Sequence, residues 1–251
     1  MSVWFVPRDA AARSMGSDAV ADALEARGEQ VVRNGSRGLL WMEPLLERSE
    51  ERHGHRIGWR NVNASQIAEA LPSEGGDQYL GAIEEIDFLA GQDRWIYERV
   101  GIIDPLDPED FLAYGGLVGL KIALDLSADE VLQAIANSGL RGRGGAGFPA
   151  GIKWRTVADQ DPQPHRGESA KAAHHKYICV NADEGDSGTF ADRMLIEGDP
   201  FCLLEGMTIA AHAVGADRGL VYLRSEYPDA ISILGEAVAV ARSRVGWVIA
   251  F

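Results

Sequence analysis

Between residues 139 and 151 the chain places six glycines, inside the run SGLRGRGGAGFPAGIKW from Ser138 to Trp154. Such a run is a poor interior for a helix or strand, because glycine gives up more backbone freedom on folding than any other residue. It suits a backbone that must turn sharply or approach something closely. Gly142, Gly144 and Gly147 satisfy G-x-G-x-x-G by letter. The dinucleotide fingerprint also demands a strand before the glycines and an acid about 20 residues beyond them. Here the preceding segment, capped by Ser127 and carrying Val131, Leu132 and Ile135, reads as a helix to about Asn137. The run is not a P-loop either, since Lys153 follows Ile152 and precedes Trp154. Two readings stay open: a tight turn without a ligand, or a cradle of backbone N–H groups around a phosphate, helped by Arg143 and Lys153.

A second constellation, NADEGDSGTF from Asn181 to Phe190, follows the apolar run Tyr177-Ile178-Cys179-Val180. That run reads as a buried strand, and ligands of open α/β sheets bind outside strand C-termini. Asn181, Asp183, Glu184 and Asp186 could there hold ring nitrogens, ribose hydroxyls or a metal. An acid-rich solvated turn is the equal alternative.

The rest of the chain sets the frame. Val3–Val6 is a short strand closed by Pro7, Asp18–Arg27 a helix, and Gln30–Arg33 a strand running into the Asn34-Gly35 turn. Leu39–Met42 reads as a second buried strand and Arg56–Trp59 as a third. Ala64–Leu71 is a helix capped by Asn63 or Ser65. Residues 101–115, with two prolines and four acids, read as a connector, and 158–175 as an exposed polar insertion. Phe201–Val214 and Pro228–Arg244 are helical, with Leu220–Leu223 a strand between them. Strands alternating with helices imply an α/β fold with a mostly parallel sheet.

With 38 Asp and Glu against 24 Lys and Arg, the net charge is -14, which repels nucleic acid and anionic lipid. No stretch reaches the roughly 20 apolar residues of a membrane helix. The start, MSVWFVPR, is too short an apolar run for a signal peptide. Two cysteines, Cys179 and Cys202, do not make a secreted disulfide framework, so the cytoplasm is the expected compartment. Both are expected to pack as small apolar residues. Arg52-His53-Gly54-His55-Arg56 and His174-His175 read as surface turns, and His212 as a core histidine.

Taken together, SGLRGRGGAGFPAGIKW, KYICVNADEGDSGTFADRMLIEGDP, LLEGMTIAAHAVGA and YLRSEYPDAI resemble the NADH-binding flavoprotein subunit of respiratory complex I and its relatives. Those relatives include diaphorase subunits of NAD-reducing hydrogenases and beta subunits of NAD-dependent formate dehydrogenases. The start, WFVPRDAAARSMGSDAVADAL with VVRNGSRGLLWMEPLLE, resembles the degenerate thioredoxin-like ferredoxin module that opens the formate dehydrogenase beta subunits. The resemblance implies a thioredoxin-like domain over 1–100, a connector over 101–126, and over 127–251 the first part of a Rossmann-like domain binding FMN and NAD(H).

By the same resemblance Gly142, Arg143, Gly144, Gly145 and Gly147 line the flavin and nucleotide site, and Lys153 lies near the FMN phosphate or ring. Asn181, Asp183 and Glu184 hydrogen-bond the flavin, Phe148 stacks on NADH, and Asp186 sits near its ribose. Relatives often carry Glu at that last position. The implied activity is hydride exchange between NAD(H) and FMN, with electrons passing to iron–sulfur and catalytic partner subunits. The catalytic work would be the flavin's, so no side chain is assigned as catalyst. Formate dehydrogenase leads; complex I, an NAD-reducing hydrogenase, or a non-catalytic structural subunit are the alternatives. Two departures stand out. Residues 1–150 contain no cysteine, so the first domain holds no thiolate cluster. The family's four-iron (4Fe-4S) region is expected beyond residue 251, in a part this sequence does not carry.

Overall fold

A computed structural model describes residues 2–160 and 175–244. In chain order the first elements are β1 (Val3–Phe5), α1 (Ala10–Ser14), α2 (Ser17–Ala26), β2 (Gln30–Val32), β3 (Leu46–Ser49) and β4 (Ile57–Trp59). There follow α3 (Ala64–Glu69), β5 (Tyr79–Ala82), α4 (Asp87–Ala90), α5 (Pro108–Ala113), α6 (Val118–Leu124), α7 (Ala128–Asn137) and α8 (Ala150–Ala158). The last are β6 (Tyr177–Ala182), α9 (Ala191–Gly198), α10 (Pro200–Val214), β7 (Arg218–Leu223) and α11 (Pro228–Ser243). These form two compact units. The first takes residues 1–114, 184–200 and 225–237; the second takes 115–183, 201–224 and 238–251.

The first unit is built on a five-stranded sheet of order β2-β1-β3-β4-β5. β1 and β2 are parallel, and the other pairs antiparallel. The β2-β1-β3-β4 portion, with helices between the parallel strands, is the thioredoxin-like arrangement, extended here by β5. β1 lies in the interior of the sheet and is buried on both faces, as its unbroken apolar run requires. Trp4 packs on one face with Val20, Leu24, Leu46, Trp59 and Ile67, while Val3, Phe5 and Val32 pack on the other. Asn63 closes a capping box on α3, its side chain accepting from Gln66 N while the Gln66 side chain accepts from Asn63 N.

The second strand of this unit is not where the apolar run Leu39–Met42 suggested. Leu40–Met42 form a 3-10 turn, with Leu40 and Trp41 exposed. The strand is Leu46–Ser49, disguised by two charged residues. Glu47 is fully buried against Arg37 and Arg56, and Arg48 lies over the rings of Trp4 and Trp59. Apolar periodicity cannot find a strand whose central residues are charged, one of them neutralised inside. Strand β5 was also unmarked, since Tyr79-Leu80-Gly81-Ala82 has only partly buried residues. The stretch expected as a connector carries α5 and buries Ile103 and Phe111 completely.

The second unit is α/β with a two-stranded parallel sheet, β6 against β7, paired from Tyr177↔Arg218 to Ala182↔Leu223. Among the described residues, the route into β7 runs through α10. One face of β6 packs through Ile178 onto Val131, Leu132, Ala213 and Val214. The other face is open: Cys179, expected to be packed, is exposed, as are Leu220 and Tyr222. His212 is partly buried, its Nε2 3.1 Å from the Leu126 carbonyl, as a core histidine should be. His175 is not a free surface residue: its ring meets the Asp217 carboxylate. Most of the polar insertion expected at 158–175, His174 included, lies outside the described residues.

Candidate functional site

Helix α7 ends at Asn137, and the glycine run bridges it to α8. The helix-before-glycine order expected from sequence is therefore present, and the dinucleotide fingerprint lacks its strand. The loop is closed at its base like a small hairpin. Gly142 N donates to Phe148 O at 2.8 Å, Ala150 N donates to Leu140 O at 2.8 Å, and Arg141 pairs with Pro149 in an antiparallel bridge. Inside that closure Arg141 Nε donates to the Gly147 carbonyl at 2.6 Å. Gly145 and Gly147 adopt positive φ, +98° and +59°, a conformation side chains resist.

The loop tip faces open space. A Cβ built on Gly144 or Gly145 would meet nothing within 4 Å. Gly142, Arg143, Gly144 and Gly145 are exposed, and so are Phe148 and Lys153. Lys153 lies on α8 rather than in the loop. The backbone here can come close to a ligand, and the exposed Arg143 and Lys153 can supply positive charge beside it. What sequence reasoning missed is Arg141, which ties the loop's own carbonyl and leaves Arg143 as the outward guanidinium. The cue was the spacing: one arginine on each side of Gly142, with only the first able to fold back across the closure.

In the same unit, a depression of about 360 Å³ opens at the C-terminal end of β6, lined by Cys179, Val180, Asn181, Asp183 and Tyr222. Asn181 Oδ1 accepts from Asp183 N at 3.1 Å, an Asx turn that fixes the strand end. Tyr222 is brought there by register, since it pairs with Asn181 across the sheet. Tyr222 was not singled out from sequence, and Cys179 was expected only as a packed apolar residue. Pairing β6 with β7 in parallel and aligning their open faces would have found them. No glycine-loop residue lines this depression.

Glu184 and Asp186 belong to the first unit. Glu184 has φ +43°, rare for a residue with a side chain and costing roughly 1 kcal/mol. Its carboxylate accepts from the first-turn amides of α9, Asp192 N at 2.8 Å and Arg193 N at 3.3 Å. These charge-assisted bonds at a helix N-terminus offset the strain. They orient the carboxylate along the start of α9 and leave each oxygen a further lone pair. Asp186 is exposed, its carbonyl accepting from Thr189 N at 3.4 Å.

Residues 135–249 match the family described as the Nuo51 FMN-binding domain. That stretch contains the whole glycine loop, the β6 terminus and helix α9. The likeness to the Nuo51 FMN-binding domain thus extends over a little under half of the chain. Over 142 residues the chain is 45% identical to the NADP-reducing hydrogenase subunit HndC of Solidesulfovibrio fructosivorans, covering 57% of this chain and 26% of that protein. It is 44% identical over 130 residues to an NADH-quinone oxidoreductase subunit of Rhizobium meliloti, covering 51% and 28%. Against the NAD-reducing hydrogenase HoxS subunit alpha of Cupriavidus necator it is 42% identical over 118 residues, covering 45% and 18%. The chain thus spans between about a sixth and a third of the length of these relatives. Its Nuo51-type segment carries all eleven site residues expected from sequence. Among the described residues no helix is long and apolar enough to cross a membrane.

Proposed function

We propose that this chain supplies part of an FMN- and NAD(H)-binding flavoprotein subunit, in an NAD-linked redox complex with iron–sulfur and catalytic partner subunits in the cytoplasm. The observation that carries the reading is the Nuo51 match over 135–249, coinciding with a glycine loop whose backbone is open to a ligand. The residues present fit a phosphorylated flavin: an exposed glycine backbone with Arg143 and Lys153 for the phosphate, and Asn181 and Asp183 at a strand end for polar ring atoms. Gly142, Gly144, Gly145 and Gly147 would let the backbone approach, and Phe148, exposed on the loop, would stack on an aromatic ring of the nucleotide. Asp186 would take a ribose hydroxyl. Bound FMN would supply the exchange of a hydride with NAD(H) and of single electrons with clusters. The chain's own part is to hold the phosphate, orient the ring and exclude water. The domain limits 1–100, 101–126 and 127–251 belong to this proposal.

Within it, the complex is an NAD-dependent formate dehydrogenase, because a thioredoxin-like unit without cysteine precedes the flavin segment. The printed names of the relatives support a second reading, the equivalent subunit of an NAD-reducing hydrogenase or of complex I. Formate-dependent NAD reduction by the complex assembled around this chain separates the two, since hydrogen or quinone would replace formate under the second.

Gly144 gives the sharper test of the cradle. Gly145 already sits at φ +98°, so any side chain there strains the loop whether or not a ligand binds. Gly144 carries no such strain and has open space around it. Gly144→Val should leave circular dichroism unchanged and weaken FMN binding at least tenfold, read by quenching of flavin fluorescence during titration. Unchanged affinity would remove the loop from the site. The open depression and exposed loop also imply weak binding by the chain as given. A flavin held in solvent lacks the low-dielectric enclosure that strengthens polar contacts. Stoichiometric yellow protein on purification would contradict that expectation.

A further inference from the structure

In the first unit two acids are buried side by side in an unusual way. Asp9 caps α1, its Oδ1 accepting from Ala11 N at 3.0 Å and Ala12 N at 3.3 Å. Its other oxygen, Oδ2, is buried and accepts nothing among the described residues. The amide between these groups, Ala10 N, donates at 2.9 Å to Oε2 of Glu197 on α9. Glu197 is 1% exposed, and its Oε1 likewise has no hydrogen-bond partner among the described residues. Each carboxyl therefore gives one oxygen to the amides of a single helical turn and keeps the other bare in the interior. A buried carboxylate oxygen left bare is costly, and two that repel each other are costlier.

A single proton can serve both carboxyl oxygens at once. We propose that Asp9 and Glu197 share a proton between Asp9 Oδ2 and Glu197 Oε1, forming a carboxyl–carboxylate clasp that fastens α9 to the N-terminal helix cap and weakens in alkali. The O–H of one acid donates to the ionised oxygen of the other, a strong charge-assisted bond. Because α9 is also the helix whose first amides bind Glu184, the clasp holds the far end of the element that anchors the acid-rich loop.

The surrounding charges are mixed. Arg193, one turn before Glu197 on α9, has its Nε 3.8 Å from Oε1. That Nε is itself buried without a hydrogen-bond partner among the described residues, its charge facing Oε1 across the gap, and the guanidinium lies over the Phe190 ring. Arg13 from α1 also acts on Glu197. Asp229, in the first turn of α11, opposes these cations, as does Asp9 itself. Glu43, before β3, faces Asp9 and Glu47. Burial, ahead of these charges, pushes Asp9 up and Glu197 to about 7. Burial and then the Asp9 charge push Glu43 to about 8.

The folded chain thus holds protons that unfolded carboxyls with the ordinary value of 4.5 release. Stability should therefore fall as pH rises from about 4.5 to about 8, and level off above that. The test is urea unfolding of the 251-residue chain across this range, for wild type, Glu43→Gln, Glu197→Gln and Asp9→Asn. Glu43→Gln removes the upper part of the decline. In that background a deuterium-sensitive carboxylic C=O infrared band should remain and titrate near neutrality. Glu197→Gln should abolish the band and flatten the remaining decline, and Asp9→Asn should move its midpoint toward the ordinary carboxylate range. A purely packing role for Glu197 would lower stability equally at every pH. The proposal is overturned if the Glu43→Gln chain shows no such band. It is equally overturned if Asp9→Asn leaves the midpoint unmoved, an outcome readable even if Glu197→Gln fails to fold.

Discussion

Replacing Glu47 with alanine should cost the first unit about 3–5 kcal/mol, enough to unfold much of it at ambient temperature. Glu47 is fully buried on β3 and receives Arg37 Nε at 2.7 Å and a second Arg37 nitrogen at 2.9 Å. Arg56 adds a third donor at 3.1 Å. Both guanidiniums are themselves buried, 5% and 3% exposed. Burial alone would raise Glu47, but the two arginines overcome it and hold the carboxyl below its ordinary range. Removing the acid strands two cations inside a sheet. Among the described residues they retain secondary partners: Glu84 at 3.4 Å for Arg37, the Gly101 and Ile102 carbonyls and the Phe5 ring for Arg56. Urea unfolding followed by tryptophan fluorescence suits the test, because Trp4 and Trp59 pack beside β3. A loss under about 1 kcal/mol would mean that water reaches the arginines. Replacing all three charges with fitted apolar residues should be far milder than removing Glu47 alone, since most of the cost lies in the unpaired charges.

The second large effect belongs to Gly151, in the first turn of α8. A Cβ there would lie 2.5 Å from Ala136 Cα and 2.9 Å from Ala136 N on α7. These are backbone atoms, which cannot swing aside as a side-chain tip would. Alanine normally improves a helix by about 1 kcal/mol over glycine, but overpacking at a backbone contact costs roughly 1–3 kcal/mol and wins here. Gly151→Val should lose more than Gly151→Ala. The two helices frame the glycine loop, so forcing them apart also stretches its closure at Arg141–Pro149 and displaces Lys153. We expect both variants to lower thermal midpoint and FMN affinity together. Lowered stability with unchanged affinity would separate helix packing from the cradle.

Much of this architecture could be read from residue patterns, and the failures have specific causes. Strands β1, β2, β4, β6 and β7 appeared as runs rich in uncharged, mostly apolar side chains, although β6 and β7 leave one face exposed. β3 did not, because Glu47 satisfies its charge inside the fold and Arg48 lays its stem over Trp4 and Trp59 while pairing with the exposed Glu74. Helices α3 and α7 announced themselves through Asn63 and Ser127 caps. α8 hid behind glycine: Gly151 looks like loop but is there to let two helices touch. Residue type and order marked the glycine loop and the strand end as the candidates. Asn181 and Asp183 do line a common depression. The hydrogen bonding of Glu184 to α9 could not be foreseen, since it depends on a left-handed backbone turn that composition does not encode. Tyr222 required the pairing of two strands some 40 residues apart in sequence.

The interleaving of the first unit bears on how it can be made. Its N-terminal sheet is finished by residue 82, yet Ala10 must find Glu197 and Arg13 must find Asp229. Those partners leave the ribosome long after the sheet could begin to form, and at synthesis rates of about 5–20 residues per second the delay is many seconds. Meanwhile Asp9 and its neighbours face water without their covering helix. The loops that must then close are long, although each doubling of length adds only about 0.6 kcal/mol of entropy. The penalty is therefore one of time and exposure more than of equilibrium stability. An N-terminal fragment cut at residue 100 would stay for good in the state that the growing chain passes through.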